Sequence, residues 1–112
     1  MDDKTHDIIE EFLRLVGVTP EESTIEQMGV MVEAIKLFEE RNARYNDLWK
    51  RDGWLGNVFQ LTHKASRIRR LFFDKASRGE AAATPDPDDA FDLINYAIFF
   101  IRCLRESNRT GI

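Results

Sequence analysis

Asp89, Asp92 and Asn95 recur at three-residue spacing inside Asp88-Asp89-Ala90-Phe91-Asp92-Leu93-Ile94-Asn95-Tyr96-Ala97-Ile98, a stretch otherwise rich in apolar side chains. Residues three and four apart share a helix face, so these polar groups line up with Tyr96 beside them. A helix apolar on most sides is normally buried. A buried carboxylate costs free energy unless a cation, a metal or hydrogen-bond donors pair with it. A second segment, His63-Lys64-Ala65-Ser66-Arg67, supplies candidate cations. Two arrangements fit. In one, Asp89 and Asp92 hold Mg²⁺ through oxygen ligands and the ion bridges substrate phosphates, while Lys64 and Arg67 grip phosphate directly. In the other, Lys64 and Arg67 form interhelical salt bridges with Asp89 and Asp92, and spacing alone favours this plainer arrangement.

A third segment, Arg41-Asn42-Ala43-Arg44-Tyr45-Asn46-Asp47-Leu48-Trp49, combines aromatic, amide, basic and acidic groups. Tyr45 and Trp49 are four apart and share a face. They form either an aromatic pair at the edge of a core or one wall of a nucleobase pocket, to which Tyr96 and Asn95 would add. His63 has the chemistry of a general base or a ligand, but it has no second histidine near it, and a lone histidine is more often a polar surface residue. His6 sits in a charged turn and receives no role. The chain contains no His- or Cys-rich metal spacing, glycine-rich phosphate loop or nucleophile elbow.

The elements that must position these groups are helical. Ile8, Ile9, Phe12, Leu13, Leu15 and Val16 predict a short helix over 5–17, ended by Gly17. Thr19, Pro20 and Glu22 read as cap, first helical position and capping box of a long helix over 20–49. Asp52-Gly53 marks a turn. Val58, Leu61, Ala65, Ile68 and Phe72 form the seam of a third helix over 55–77, with Lys64, Arg67, Arg69, Arg70 and Lys75 on its outer face. Asp86 and Pro87 start a last helix that ends near Ser107. Residues 79–86 read as a mobile loop and 108–112 as a frayed tail. No strand pattern appears. The expected fold is all-α: a bundle of three long helices plus a short N-terminal helix, in a single domain spanning 1–112.

Composition bounds the function. At 112 residues, with 43% hydrophobic and 32% charged side chains, the chain is long and apolar enough for one globular core. A net charge of −4 argues against duplex nucleic acid, which needs a basic surface. The lone Cys103 excludes an internal disulfide and reads as a small buried hydrophobe. Met1-Asp2-Asp3-Lys4 lacks an apolar signal core, and the longest apolar run, 93–101, is too short to cross a bilayer. The expectation is a cytoplasmic protein. Phe73, Phe99, Phe100 and Trp54 are hard to bury in a monomer of this size, which points to a homo-oligomer, a dimer or higher.

The order of Asn42-Ala43-Arg44-Tyr45-Asn46-Asp47-Leu48-Trp49, then Lys64-x-x-Arg67, then Asp89-x-x-Asp92-Leu93-x-Asn95-Tyr96-Ala97-Ile98 resembles the nucleotide-modification-associated domain family of small phage and bacterial proteins. That family is similar to all-α nucleoside triphosphate pyrophosphohydrolases of the MazG and dimeric dUTPase type. The resemblance covers about residues 40–104, and the last motif is its most specific part. It implies a MazG-like four-helix fold, a nucleotide ligand, dimeric assembly and a phage origin. One departure is plain. MazG-type enzymes chelate Mg²⁺ with acidic pairs on two helices. Asp89 and Asp92 match one pair, whereas Lys64 and Arg67 stand where the other belongs, and Glu33, Glu39 and Glu40 form no Glu-x-x-Glu.

Three functions follow as expectations. The first is a protein that binds or sequesters a nucleotide between two antiparallel helices, with Lys64 and Arg67 on phosphates, Tyr45, Trp49, Asn95 and Tyr96 around the base, and His63 close by. The second is a Mg²⁺-dependent pyrophosphohydrolase. The third is an interaction module that binds a partner protein or inhibits a host defence.

Overall fold

The computed structural model describes residues 1–81 and 84–110. It is all-helical, and no strand occurs among the described residues. Helix α1 is Asp3–Leu15, α2 is Glu22–Tyr45 and α3 is Trp49–Ile68; a π-helical segment, Arg69–Phe73, leads from α3 into the short α4, Asp74–Ser77; and α5 is Pro87–Thr110. Three long helices and a short N-terminal one are therefore present as expected. The chain forms two compact units, Met1–Lys36 and Leu37–Ile112, and the division falls within α2.

In the first unit, Asp2 caps α1 by accepting the Thr5 amide at 2.7 Å. That bond holds the exposed Asp2 carboxyl below its ordinary range. Gly17, at φ +88°, closes the helix. The Val18 amide reaches back to the Leu13 carbonyl at 2.8 Å and the Gly17 amide to that of Arg14 at 3.2 Å, a paired bonding pattern that needs a left-handed residue. Ile9 and Leu13 of α1 bury against Ile25 of α2, with Met28 and Val32 packed alongside.

Helix α2 begins later than Thr19-Pro20 predicts. The expected capping box does not form. Instead the hydroxyl of Thr24 accepts the Glu21 amide at 2.9 Å and donates to the Thr19 carbonyl at 2.8 Å, so the chain turns once more before the helix starts at Glu22. Helix α2 also stops earlier than predicted, at Tyr45. Asn46 and Asp47 take φ values of +46° and +59°, left-handed geometry that Asn and Asp tolerate better than other side chains. The Asn42 side chain locks this turn, donating to the Asp47 carboxylate at 2.9 Å and accepting the Asp47 amide at 2.9 Å.

Helix α3 starts at Trp49, six residues before the predicted position, because the turn at Gly53 is a kink within the helix (φ +65°, ψ −176°) and not its boundary. The buried Asn57 side chain splints that kink. Its amide nitrogen donates to the Trp49 carbonyl at 2.9 Å and the Gly53 carbonyl at 2.8 Å, groups that regular helical bonding would have satisfied. Asp86 caps α5 as predicted, accepting the Asp88 amide at 2.9 Å. Helix α5 runs on to Thr110, so 108–110 are helical where a frayed tail was expected. Residues 79–81 and 84–86 are non-helical, in agreement with a loop; the remaining loop positions 82 and 83, and 111–112 of the expected tail, lie outside the described residues. No helix among the described residues is long and apolar enough to cross a membrane.

Candidate functional site

The C-terminal unit gathers the polar groups. Asp92 and Asn95, three apart on α5, are both buried, as is Asn57 on α3. Lys64 reaches across from α3 to contact both acids, Asp92 at 3.0 Å and Asp89 at 3.4 Å. The hydrogen bond to Asp92 and the charges of both carboxylates raise the Lys64 ammonium above its usual range, against the opposing effect of burial. This cross-helix pairing is the one that the sequence predicts.

The second cation is not the expected one. Arg67 is exposed and forms no ion pair with any described residue. A three-residue step along α3 turns it about 60° away from Lys64, enough to carry it off the α5-facing side. Its place is taken by Arg41 of α2, whose guanidinium pairs directly with the Asp92 carboxylate. Asp92 thus holds two cations from two different helices, and Asp89 shares one of them. His63 is exposed as well, with its ring 6.2 Å from that of Phe59.

Beside this charge cluster lies a cavity of about 410 Å³, within the range of small-molecule sites. Its wall is aromatic: Phe38, Tyr45, Trp49, Tyr96 and Phe99. Its polar groups are Arg41, Asn42, Asp52, Asn57, Asp92 and Asn95. Five of the expected site residues therefore meet around one space, namely Tyr45, Trp49, Asn95, Tyr96 and Asp92. Lys64 supports it through Asp92, and Arg67 and His63 stand apart.

Phe99 organises the wall. It stacks on Trp49 with centroids 4.7 Å apart, and meets Phe38 at 5.5 Å and Tyr96 at 6.0 Å. It is thus a packing hub and not the exposed ring the sequence suggested; Phe100 is likewise half-buried, against Trp54 at 6.2 Å. Trp54 and Phe73 are exposed as expected. The Arg102 guanidinium lies 4.2 Å from the Trp49 ring centroid. Trp49 also lines a second cleft of about 900 Å³, with Lys50, Gly53, Trp54, Arg102 and Cys103. The indole Nε1 of Trp49 and the Asn57 Oδ1 are both buried without a hydrogen-bond partner. Cys103 is half-buried, with its sulfur 3.7 Å from the Asn57 amide.

The sequence reading passed over Arg41, Phe38 and Asn57. A signal for the first two existed: Phe38, Arg41, Tyr45 and Trp49 follow one another at steps of three and four, one helical face. Asn57 gave none, because its role depends on a backbone kink.

Cations hold both carboxylates: Lys64 pairs with Asp89 and Asp92, and Arg41 with Asp92. Among the described residues, the grouping of three potential metal ligands is elsewhere, at His6, Asp7 and Glu10 in the first unit. Comparison of the chain with family models, with curated proteins and with solved structures finds no match in any of the three.

Proposed function

We propose that this protein binds a nucleotide or nucleotide-derived molecule in the cavity of its C-terminal unit and holds it without hydrolysing it. The observation that carries this reading is the joint presence of a stacking wall and a half-exposed guanidinium on one space. Arg41 gives part of its donor set to Asp92, yet its side chain remains 43% exposed beside Tyr45, Trp49 and Tyr96. A planar base fits against the rings. A phosphate fits the open edge of the guanidinium, whose flat fork suits such oxygens. Asn42 and Asn95 offer amides for the edges of a base.

The donor set does not suit Mg²⁺. An ion at Asp89 and Asp92 would have to displace Lys64 from both carboxylates and Arg41 from one of them. That argues for binding over metal-dependent pyrophosphate release. The resemblance to nucleotide-modification-associated and MazG-like proteins, with its phage origin, belongs to this same proposal, as do a cytoplasmic location and homo-oligomeric assembly.

A thermal-shift screen with nucleoside mono-, di- and triphosphates and cyclic di- and trinucleotides, with and without Mg²⁺, tests it. A ligand at a hundredfold excess over its Kd stabilises the native state by about 2.7 kcal/mol, a rise of several degrees for a domain of this size. The expected result is a Mg²⁺-independent rise that Tyr45→Ala removes. Tyr45 is 60% exposed, so its loss should change stability by less than about 0.5 kcal/mol. No rise with any nucleotide overturns the reading. A rise that requires Mg²⁺ restores the carboxylate site.

A further inference from the structure

Two groups in the lining of the first cavity accept hydrogen bonds and have no donor. The first is Asp52, in the first turn of α3 and three residues after Trp49, on the same face of that turn. Asp52 is exposed, and its carboxylate forms no hydrogen bond or ion pair with any described residue. An acid in a first turn often caps a main-chain amide or holds a cation. Asp52 does neither, so no cap and no ion pair accounts for it.

The second is Asn57, which lines the same cavity and is 0% exposed. Its amide nitrogen is committed to the Trp49 and Gly53 carbonyls, so Oδ1 is all it has left to offer, and Oδ1 has no partner. A buried acceptor without a donor is costly. An ionised carboxylate also only accepts. This part of the lining therefore asks for donors from whatever enters.

The aromatic wall limits where a base can lie. Trp49 already has Phe99 stacked on it and the Arg102 guanidinium over its ring. Tyr45, 60% exposed, is the ring with free surface. A base stacked on Tyr45, with its phosphate toward Arg41, turns its edge to the rest of the lining. Bases are told apart by the donors and acceptors on that edge. Adenine and cytosine set one amine beside a ring nitrogen that accepts. Uracil and hypoxanthine carry a single N–H beside carbonyl oxygens, which a carboxylate repels. Guanine sets two donors side by side, N1–H and the 2-amino group. Such a pair matches both oxygens of one carboxylate, and charge-assisted bonds of this kind are the strong ones. The amine's second hydrogen remains for another acceptor.

We propose that the base this cavity selects is guanine, read by the Asp52 carboxylate through N1–H and the 2-amino group. The inference rests on the reading that the cavity holds a nucleotide, and it adds which one and by which residue.

The test is titration calorimetry on the full chain without Mg²⁺. The probes are the mono- and triphosphates of guanosine, adenosine, cytidine, uridine, inosine and xanthosine, and cyclic di-GMP beside cyclic di-AMP. At whichever phosphate level binds, the guanine member should bind about tenfold or more tighter than the others. Inosine, which lacks only the 2-amino group, should lose that factor. Asp52→Asn should exchange guanosine for xanthosine as the better ligand, because an amide donates to the 2-carbonyl of xanthine and still accepts from N1–H. A residue that merely shaped the wall would not swap one base for another. Circular dichroism checks that the variant keeps its helix content. Equal binding of guanine and adenine members, a preference for any other base, or a guanine preference that survives Asp52→Asn overturns the inference and leaves nucleotide binding standing. No binding of any probe overturns both.

Discussion

The two units bury different things. Among the described residues, the buried side chains of Met1–Lys36 are Ile9, Leu13, Ile25 and Ala34, all apolar; those of Leu37–Ile112 are Trp49, Asn57, Asp92 and Asn95, three of them polar. A dry cluster of apolar side chains does little beyond holding two helices together. Buried amides and a buried carboxylate are costly unless fully partnered, and they stand around the cavity. The contrast sets a part of the molecule with a dry interior against one that buries polar groups beside a cavity.

Substitutions can break that contrast in order of size. Leu13→Ala removes a fully buried side chain and should cost about 3 kcal/mol in urea unfolding, while the nucleotide-induced rise in Tm keeps its size. A loss of that rise would mean the first unit shapes the pocket. Asp92→Ala strands Arg41 and leaves Lys64 with Asp89 alone. Breaking a buried ion pair typically costs about 3–5 kcal/mol; the exposure of Arg41 brings the expectation down to about 2–3 kcal/mol. Here binding should be lost too. Gly53→Ala places a side chain in a backbone region that only glycine occupies readily, and should cost about 1–3 kcal/mol. An unchanged midpoint would show that the kink is not needed to seat Asn57.

The smallest effect is a pH dependence. The raised pKa of Lys64 means its pairing contributes fully below the unfolded lysine value of about 10.4 and is lost as pH rises through the folded value. Stability should therefore hold from neutral pH to about 10 and decline above it, and Lys64→Met should lack that alkaline component. Asp47 runs the other way. Hydrogen bonds from Lys50 and Asn42 hold its carboxyl below the ordinary range, so its contribution fades as pH falls through that lowered value.

Helical class and helix number were legible because apolar spacing reports them directly. Asp86-Pro87 was legible for the same local reason: a cap and a first-turn proline act within four residues. Thr19-Pro20-x-Glu22 shows where such signals fail, since the Thr24 hydroxyl five residues on competes for the same backbone groups and wins. The Lys64 to Asp92 pairing was legible as a need, because a buried carboxylate demands a cation. Which cation answers was half legible. Arg67 has the right charge and lies on the right helix, but rotation puts it in solvent, and Arg41 arrives from a helix with no sequence proximity to Asp92. Asn46-Asp47 carried a turn signal that the surrounding helical residues masked. Asn57 was illegible, since its partners are carbonyls freed by the turn at Gly53.

Trp49 lines both cavities, with Phe99 stacked on it and the Arg102 guanidinium over its ring. An indole in that position is an optical gauge. Its emission depends on the polarity at each surface of the ring, and the chain's other tryptophan, Trp54, is 40% exposed and open to aqueous quenchers. With Trp54 changed to Phe, the remaining tryptophan fluorescence comes from Trp49 alone. Occupation of the first cavity would then register as a spectral change without any label on the ligand or the protein.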